Sequence, residues 1–229
     1  MRRRQWIERC SAGVSLWLPG LQAAQAVGGL TESDAAAAIR QALERGALAA
    51  VSLLGKTDGF LGNPKVRIPL PASLEEAADL MRKFGQGKRV DELVTGMNRA
   101  AEQAVPEAKT LLVQTAKAVT VDDAIKIVRG SETSVTAYFA AKTRQPLGDR
   151  FLPIVKRSTE KVALADKYNA VAERASRFGL MKPEDADLNR YVSGKALDGL
   201  YLMIGEEERK IRRDPVATGS ALLRKVFGS

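Results

Sequence analysis

The chain has no histidine, a single cysteine and few aromatic residues, 5 % of 229. Each shortage closes a class of chemistry. Without imidazole there is no proton shuttle poised near neutral pH, no Ser-His-Asp triad and no His-containing metal site. Cys10 falls in an N-terminal stretch that reads as removable, so the processed chain has no disulfide, thiol nucleophile or zinc–thiolate site. No metal and no cofactor is expected. What is present is a hydrophobic content of 45 %, enough for one good core, and 28 % charged residues spread along the chain as in an ordinary globule.

Residues 1–26 read as a cleavable export signal. Arg2, Arg3 and Arg4 form a basic start, Cys10 to Leu18 is mostly small or apolar, Pro19-Gly20 breaks the segment, and Ala24-Gln25-Ala26 fits the small-x-small rule for signal peptidase. The apolar run is far shorter than the roughly 20 residues that span a bilayer. Ile7-Glu8-Arg9 ahead of Cys10 is the wrong context for lipid attachment. Arg3-Arg4-Gln5-Trp6-Ile7 resembles the twin-arginine signal, with Arg2 and Glu8 as departures, so the twin-arginine and general secretory routes both stay open. Either route leads to the periplasm of a Gram-negative bacterium. The net charge is +9 with a pI near 9.8. Residues 1–26 hold four Arg and one Glu, so their removal leaves +6. A basic balance of this kind ordinarily suggests nucleic acid, but export replaces that partner with lipid head groups and cell-wall polymers.

Helical signals recur along the rest of the chain, which is expected to form one all-α domain, residues 27–229, of eight or nine helices. Thr31 to Asp34 caps a helix whose face carries Ala35, Ile39, Ala42, Leu43, Gly46, Ala50 and Leu53, and Gly55 ends it. Ser73-Leu74-Glu75-Glu76 opens a short helix that stops near Gly85. Val90 to Ala104 is the next, and Pro106 sits at the first turn of another. Thr120 to Asp123 caps a helix ending at Gly130. Segments at 132–143, 145–162 and 164–178 follow, then a loop over 180–187, a long helix over 187–212 and a last one from about Pro215 to Phe227.

Asp58 to Pro71, "DGFLGNPKVRIPLP", breaks this pattern and predicts an extended strap over residues 56–72. Asp58-Gly59 and Asn63-Pro64 are turn pairs, and Pro69 and Pro71 hold the residues before them extended. Val66 and Ile68 alternate with Lys65 and Arg67, so two apolar side chains anchor one face while two cations point the other way. Such a loop is longer than ordinary connections, and Phe60 and Leu61 give it further anchors.

The long helix is the second candidate. Leu197, Leu200, Tyr201, Ile204 and Ile211 form its apolar stripe, with Glu208 four residues after Ile204, Glu207 beside it, and Asp198 near Tyr201. An inward carboxylate costs several kcal/mol unless paired or protonated, and Arg67, Arg150 and Arg209 are candidate partners. The arrangement reads as an acid–base or cation site, as a buried Arg–Glu network pinning the strap, or as an exposed end with Glu206–Lys210 and Glu208–Arg212 pairs. Interior glycines cost about 1 kcal/mol each, so Gly194, Gly199 and Gly205 point to close backbone contacts. Ser158-x-x-Lys161 lacks the companion elements of penicillin-recognising enzymes, and Gly194-Lys195 lacks the spacing of a phosphate loop. The basic, amphipathic C-terminal stretch around Leu222 and Phe227 packs on the bundle or rests on an anionic membrane, so membrane contact is at most peripheral.

"GFLGNPKVRIPLP", "MNRAAEQAVPEA", "RFLPIVKR" and "KALDGLYLMIGEEERKIRRDP", in this order, resemble the bacterial family catalogued as domain of unknown function 4197, over about Gly29 to Phe227. The resemblance implies an exported protein and carries no assigned activity or catalytic residues. The expected function is a non-enzymatic periplasmic binding protein for a lipid-like or small anionic ligand. The ligand would lie in an Ala- and Gly-lined cleft beneath the strap, among Phe60, Lys65, Arg67, Asp198, Tyr201, Glu207 and Glu208. The alternatives are an envelope scaffold that docks a protein partner, and a hydrolase or lyase using Asp198, Glu207 and Glu208.

Overall fold

The computed structural model describes residues 31–131, 133–160, 187–214, 216, 217 and 220. The export segment 1–26, the helix expected over 164–178, most of the loop over 180–187 and nearly all of the C-terminal helix expected from Pro215 lie outside the described residues. Where apolar residues recur at helical spacing the chain is helical, and no strand forms among the described residues. The elements are α1 (Glu32–Leu54), α2 (Ala72–Lys83), α3 (Gly87–Ala104), a 3-10 turn (Val105–Glu107), α4 (Ala108–Lys117), α5 (Val121–Arg129), α6 (Ser134–Thr159) and α7 (Leu188–Arg213). The expected count of eight or nine helices reaches into residues outside the description and is not established.

The capping signals act as their chemistry dictates. Thr31 Oγ1 accepts from the Asp34 N–H at 3.0 Å while Asp34 Oδ2 accepts from the Thr31 N–H at 3.3 Å, and Thr120 and Asp123 repeat the exchange at the start of α5. The Thr120 hydrogen bond holds the Asp123 carboxyl below its ordinary pKa. α2 differs from expectation. It starts at Ala72, directly after Pro71, so Ser73 lies inside its first turn rather than at its cap. Proline's fixed φ already prepares that entry.

A second difference concerns the two segments expected over 132–143 and 145–162. Residues 134–159 form one helix, α6, that runs through Pro146 and Pro153. Its buried side chains recur every fourth position: Val135, Phe139, Thr143, Leu147, Phe151, Val155 and Thr159. An interior proline costs roughly 3 kcal/mol. Burying Phe139, Leu147, Phe151 and Val155, at about 1.5–3 kcal/mol each, outweighs two of them. Both prolines are exposed, so the carbonyls they leave unpaired face water.

α6 and α7 pack along each other, with α3 against both; α1 lies across α7, α4 and α5, and α2 rests on α3. The alanine face of α1 (Ala36, Ala47 and Ala50, all buried) lets its neighbours approach closely. A Cβ on Gly46 would lie 3.7 Å from Cβ of Glu207 on α7. Among the described residues no helix is long and apolar enough to cross a membrane.

Candidate functional site

The strap after α1 is extended only over 67–71. Residues 55–66 are mostly bends and turns, closed by bonds such as Gly62 N–H to the Asp58 carbonyl at 3.1 Å, and Ala72 already belongs to α2. The alternation begins at Lys65. Phe60, Val66, Ile68 and Leu70 are buried, while Lys65, Arg67 and Pro69 face water. Three residues of α3 hold it down. Glu102, itself buried, accepts the Phe60 and Leu61 N–H groups on Oε1 at 3.1 and 3.2 Å. Asn98 acts like a neighbouring strand: its Oδ1 accepts from the Ile68 N–H and its Nδ2 donates to the Ile68 carbonyl, both at 2.9 Å. Arg99 bridges Glu102 Oε2 at 2.7 Å and Asp58 Oδ1 at 2.8 Å. These two carboxylates, Glu102 foremost, raise the Arg99 pKa further above its ordinary value. Asp58 has φ +63°, a left-handed turn that Asp tolerates better than most residues, and the Arg99 bond fixes it.

Among the described residues no cleft opens beneath this strap. The Phe60 ring and Val66 lie against Gly199 of α7, where an added Cβ would sit 2.8 Å from Phe60 Cε1 and 3.2 Å from Val66 Cβ. The space expected for an apolar ligand is filled by the strap's own anchors. Gly199→Ala is therefore expected to lower stability by about 1–3 kcal/mol through overpacking. Urea denaturation reads that loss, and faster amide exchange at Phe60 and Val66 would place it at the strap. Gly205 also answers to close packing, its Cβ position being 3.1 Å from Thr136 Oγ1. Gly194 does not: nothing lies within 4 Å of a Cβ there, and the structure does not explain it.

The seven candidate residues do not converge. Phe60 and Tyr201 are core side chains. The Tyr201 hydroxyl meets Thr143 Oγ1 at 2.8 Å across α6 and α7, and burial pushes its pKa up. Glu208 is buried at the α5–α6 junction, where it takes on a structural task. Its Oε1 accepts from the Val135 N–H at 3.3 Å, its Oε2 from the Thr136 N–H at 3.2 Å and the Thr136 hydroxyl at 3.1 Å. Arg212 forks onto Oε1 from Nε and Nη2, both at 3.1 Å, and Nη2 also donates to the Ile127 carbonyl at 3.3 Å. One helix thus sets a carboxylate at the positive start of α6 and a guanidinium at the negative end of α5. The partner is Arg212, as the Glu208–Arg212 reading had it, and not Arg67, Arg150 or Arg209; Glu208 is buried and Arg212 half-buried, where that reading had an exposed helix end. Among the described residues a void of ≈ 10 Å³, about the size of one water, lies beside it.

Glu207 pairs with Lys210 at 2.5 Å and lines a depression of ≈ 630 Å³ between α1 and the end of α7, together with Arg45 and Arg213. Glu206 pairs with Arg209, not Lys210, and also with Lys65 of the strap at 3.3 Å; these bonds, Arg209's foremost, hold its carboxyl below the ordinary range. Asp198 is exposed and bonds Arg144 at 2.9 Å, and that guanidinium lies over the Tyr201 ring at 5.1 Å. Asp198, Glu207 and Glu208 therefore open onto three separate spaces.

What the strap does border is an open groove of ≈ 360 Å³. Lys65, Arg67 and Pro69 form one bank, and Lys195, Asp198 and Leu202 of α7 form the other. Lys195 rests over the Tyr191 ring at 5.7 Å, and the Tyr191 hydroxyl donates to the Pro69 carbonyl at 3.2 Å, tying the banks together. No ion pair to Arg67 forms among the described residues, and its guanidinium is exposed.

A family model described as "Protein of unknown function (DUF4197)" matches residues 29–228. The chain belongs to this family. The resemblance carried by four stretches of sequence is thereby confirmed. No curated protein and no solved structure matches the chain. The matched region takes in the strap, all of α3 and all of α7, and so both clamps. Sequence reasoning passed over Asn98, Arg99 and Glu102, although "MNRAAEQAVPEA" contains all three. The signal was there: Asn98 and Glu102 lie four apart among Val94, Met97 and Ala101, two polar residues in an apolar stripe.

Proposed function

We propose that this member of the family is a non-enzymatic periplasmic binding protein whose site is the groove between the strap and α7. It would take a lipid-like or small ligand by its anionic group. One observation carries this reading: the strap's alternation turns Lys65 and Arg67 outward while Val66 and Ile68 lock its backbone, with Lys195 facing them across the groove. A guanidinium on a rigid backbone is pre-organised for the fork geometry of a phosphate or carboxylate. Leu202, 39 % exposed on the opposite bank, offers an apolar lip to the rest of the ligand. The periplasmic setting rests on the basic start, apolar run and Ala-Gln-Ala site of residues 1–26. The dispersal of Asp198, Glu207 and Glu208 over separate spaces speaks against the hydrolase or lyase, which needs them together.

Isothermal titration of the full chain with monomeric dihexanoyl phosphatidylglycerol tests the proposal. Saturable binding is expected, weakened roughly tenfold or more by Arg67→Ala, the range of a charge-assisted hydrogen bond. Absence of saturable heat, or identical affinity in Arg67→Ala and Lys195→Ala, overturns it.

A further inference from the structure

Between α2 and α3 the chain turns through Gly85, at φ +75°, and leaves Phe84 73 % exposed and Leu80 56 % exposed. One exposed apolar residue needs no explanation. A Phe and a Leu four apart on one helical face, at the end of a hairpin, form a small apolar tip. The other face of α2 is committed, since Ala78 is buried and Leu74 and Met81 pack on the core. Around the tip stand Arg82, Lys83, Lys88 and Arg89, all exposed. Among the described residues only Arg82 of these four has an acidic partner, the exposed Asp79 at 2.9 Å. Arg89 bonds the neutral Gln86 at 3.2 Å. Among the described residues α2 rests on α3 and touches little else, and the tip side chains stand out into water.

We propose that the α2–α3 hairpin, Leu80 to Arg89, docks on an anionic lipid bilayer surface. Leu80 and Phe84 enter the interfacial region, and Arg82, Lys83, Lys88 and Arg89 meet lipid phosphates. The chemistry of the tip selects this occupant. An apolar pair ringed by cations matches a bilayer whose apolar layer lies under a layer of negative charge. A second copy placed symmetrically would press four cations against the same four. A protein partner needs roughly 800 Å² per side, far more than two side chains on a convex turn supply. This surface is separate from the strap groove and does not depend on it.

Vesicle co-sedimentation of the full chain is the test, comparing phosphatidylglycerol–phosphatidylcholine vesicles with phosphatidylcholine alone, at low and high salt. Because residues 1–26 include an apolar run, the measured quantity is the difference between the native chain and hairpin variants. The double substitution Leu80→Ser, Phe84→Ser is expected to weaken binding to anionic vesicles roughly tenfold or more. Changing Arg82, Lys83, Lys88 and Arg89 to Gln should weaken it on the order of a hundredfold and remove most of the salt dependence. All six side chains face water, so melting curves should match the native one, and titration with soluble dihexanoyl phosphatidylglycerol should be unchanged. Vesicle binding that neither variant alters, or no preference for anionic vesicles, overturns the proposal. Self-association in sedimentation velocity that Leu80→Ser, Phe84→Ser abolishes, without vesicle binding, overturns it in favour of a second copy.

Discussion

Glu208→Ala is expected to lower the free energy of unfolding by about 3–5 kcal/mol, the cost of removing one partner from a buried ion pair. The loss has three parts. The Val135 and Thr136 N–H groups at the start of α6 lose their acceptor, the Thr136 hydroxyl loses its partner, and the half-buried Arg212 guanidinium loses its two bonds to Glu208 Oε1. Domains of this kind have only about 5–15 kcal/mol in total, so the change should appear as a large fall in the urea midpoint. Glu208 and Arg212 share the same two bonds, so Glu208→Ala with Arg212→Ala should cost less than the two changes summed. A loss below about 1 kcal/mol for Glu208→Ala would mean that the pair is only an electrostatic accessory.

The second large effect is expected from Glu102→Ala, at about 3 kcal/mol, with its consequences concentrated in the strap. Two backbone donors, Phe60 N–H and Leu61 N–H, lose their common acceptor, at about 1–3 kcal/mol for a fully buried donor. Arg99 is less affected, because it is a third exposed and keeps Asp58. Glu102→Gln separates the two roles. It retains a carbonyl for the strap N–H groups while losing the charge beside Arg99, and should cost only about 1 kcal/mol. Hydrogen exchange at Phe60, Leu61 and Ile68 should rise sharply in Glu102→Ala and little in Glu102→Gln. A strap freed in this way no longer fixes Lys65 and Arg67 opposite Lys195, so anion binding at the groove should weaken with it. Unchanged exchange in Glu102→Ala would show that Phe60 and Ile68 hold the strap by apolar packing alone.

The elements legible in advance share one property: their information is local. The Thr31–Asp34 and Thr120–Asp123 boxes need four residues, and the outward turn of Lys65 and Arg67 needs only alternation with Val66 and Ile68. The family, too, was readable from its stretches of sequence. α6 was read as two segments split at 144, whereas the decision to continue lies in Phe139, Leu147, Phe151 and Val155 meeting other helices. The carboxylates of α7 were misread for a related reason. Their spacing placed Glu208 inward and offered Arg212 as its i,i+4 partner, but nothing in that spacing identified the α5 and α6 backbone groups the pair would face.

By itself, then, the sequence determined the helical class, the Thr31 and Thr120 caps, the outward turn of Lys65 and Arg67 and the absence of imidazole chemistry. Tertiary structure decided which polar groups are buried and what each one serves. Glu208 finds its donors at Val135, 73 residues away, and Glu102 finds Phe60 at 42. The division follows from physics. Helical period and capping are satisfied within a few residues of backbone, whereas a buried carboxylate must be compensated by whatever donors the packing brings to it. A periodic pattern names the face that turns inward, and only the assembled bundle supplies the partner.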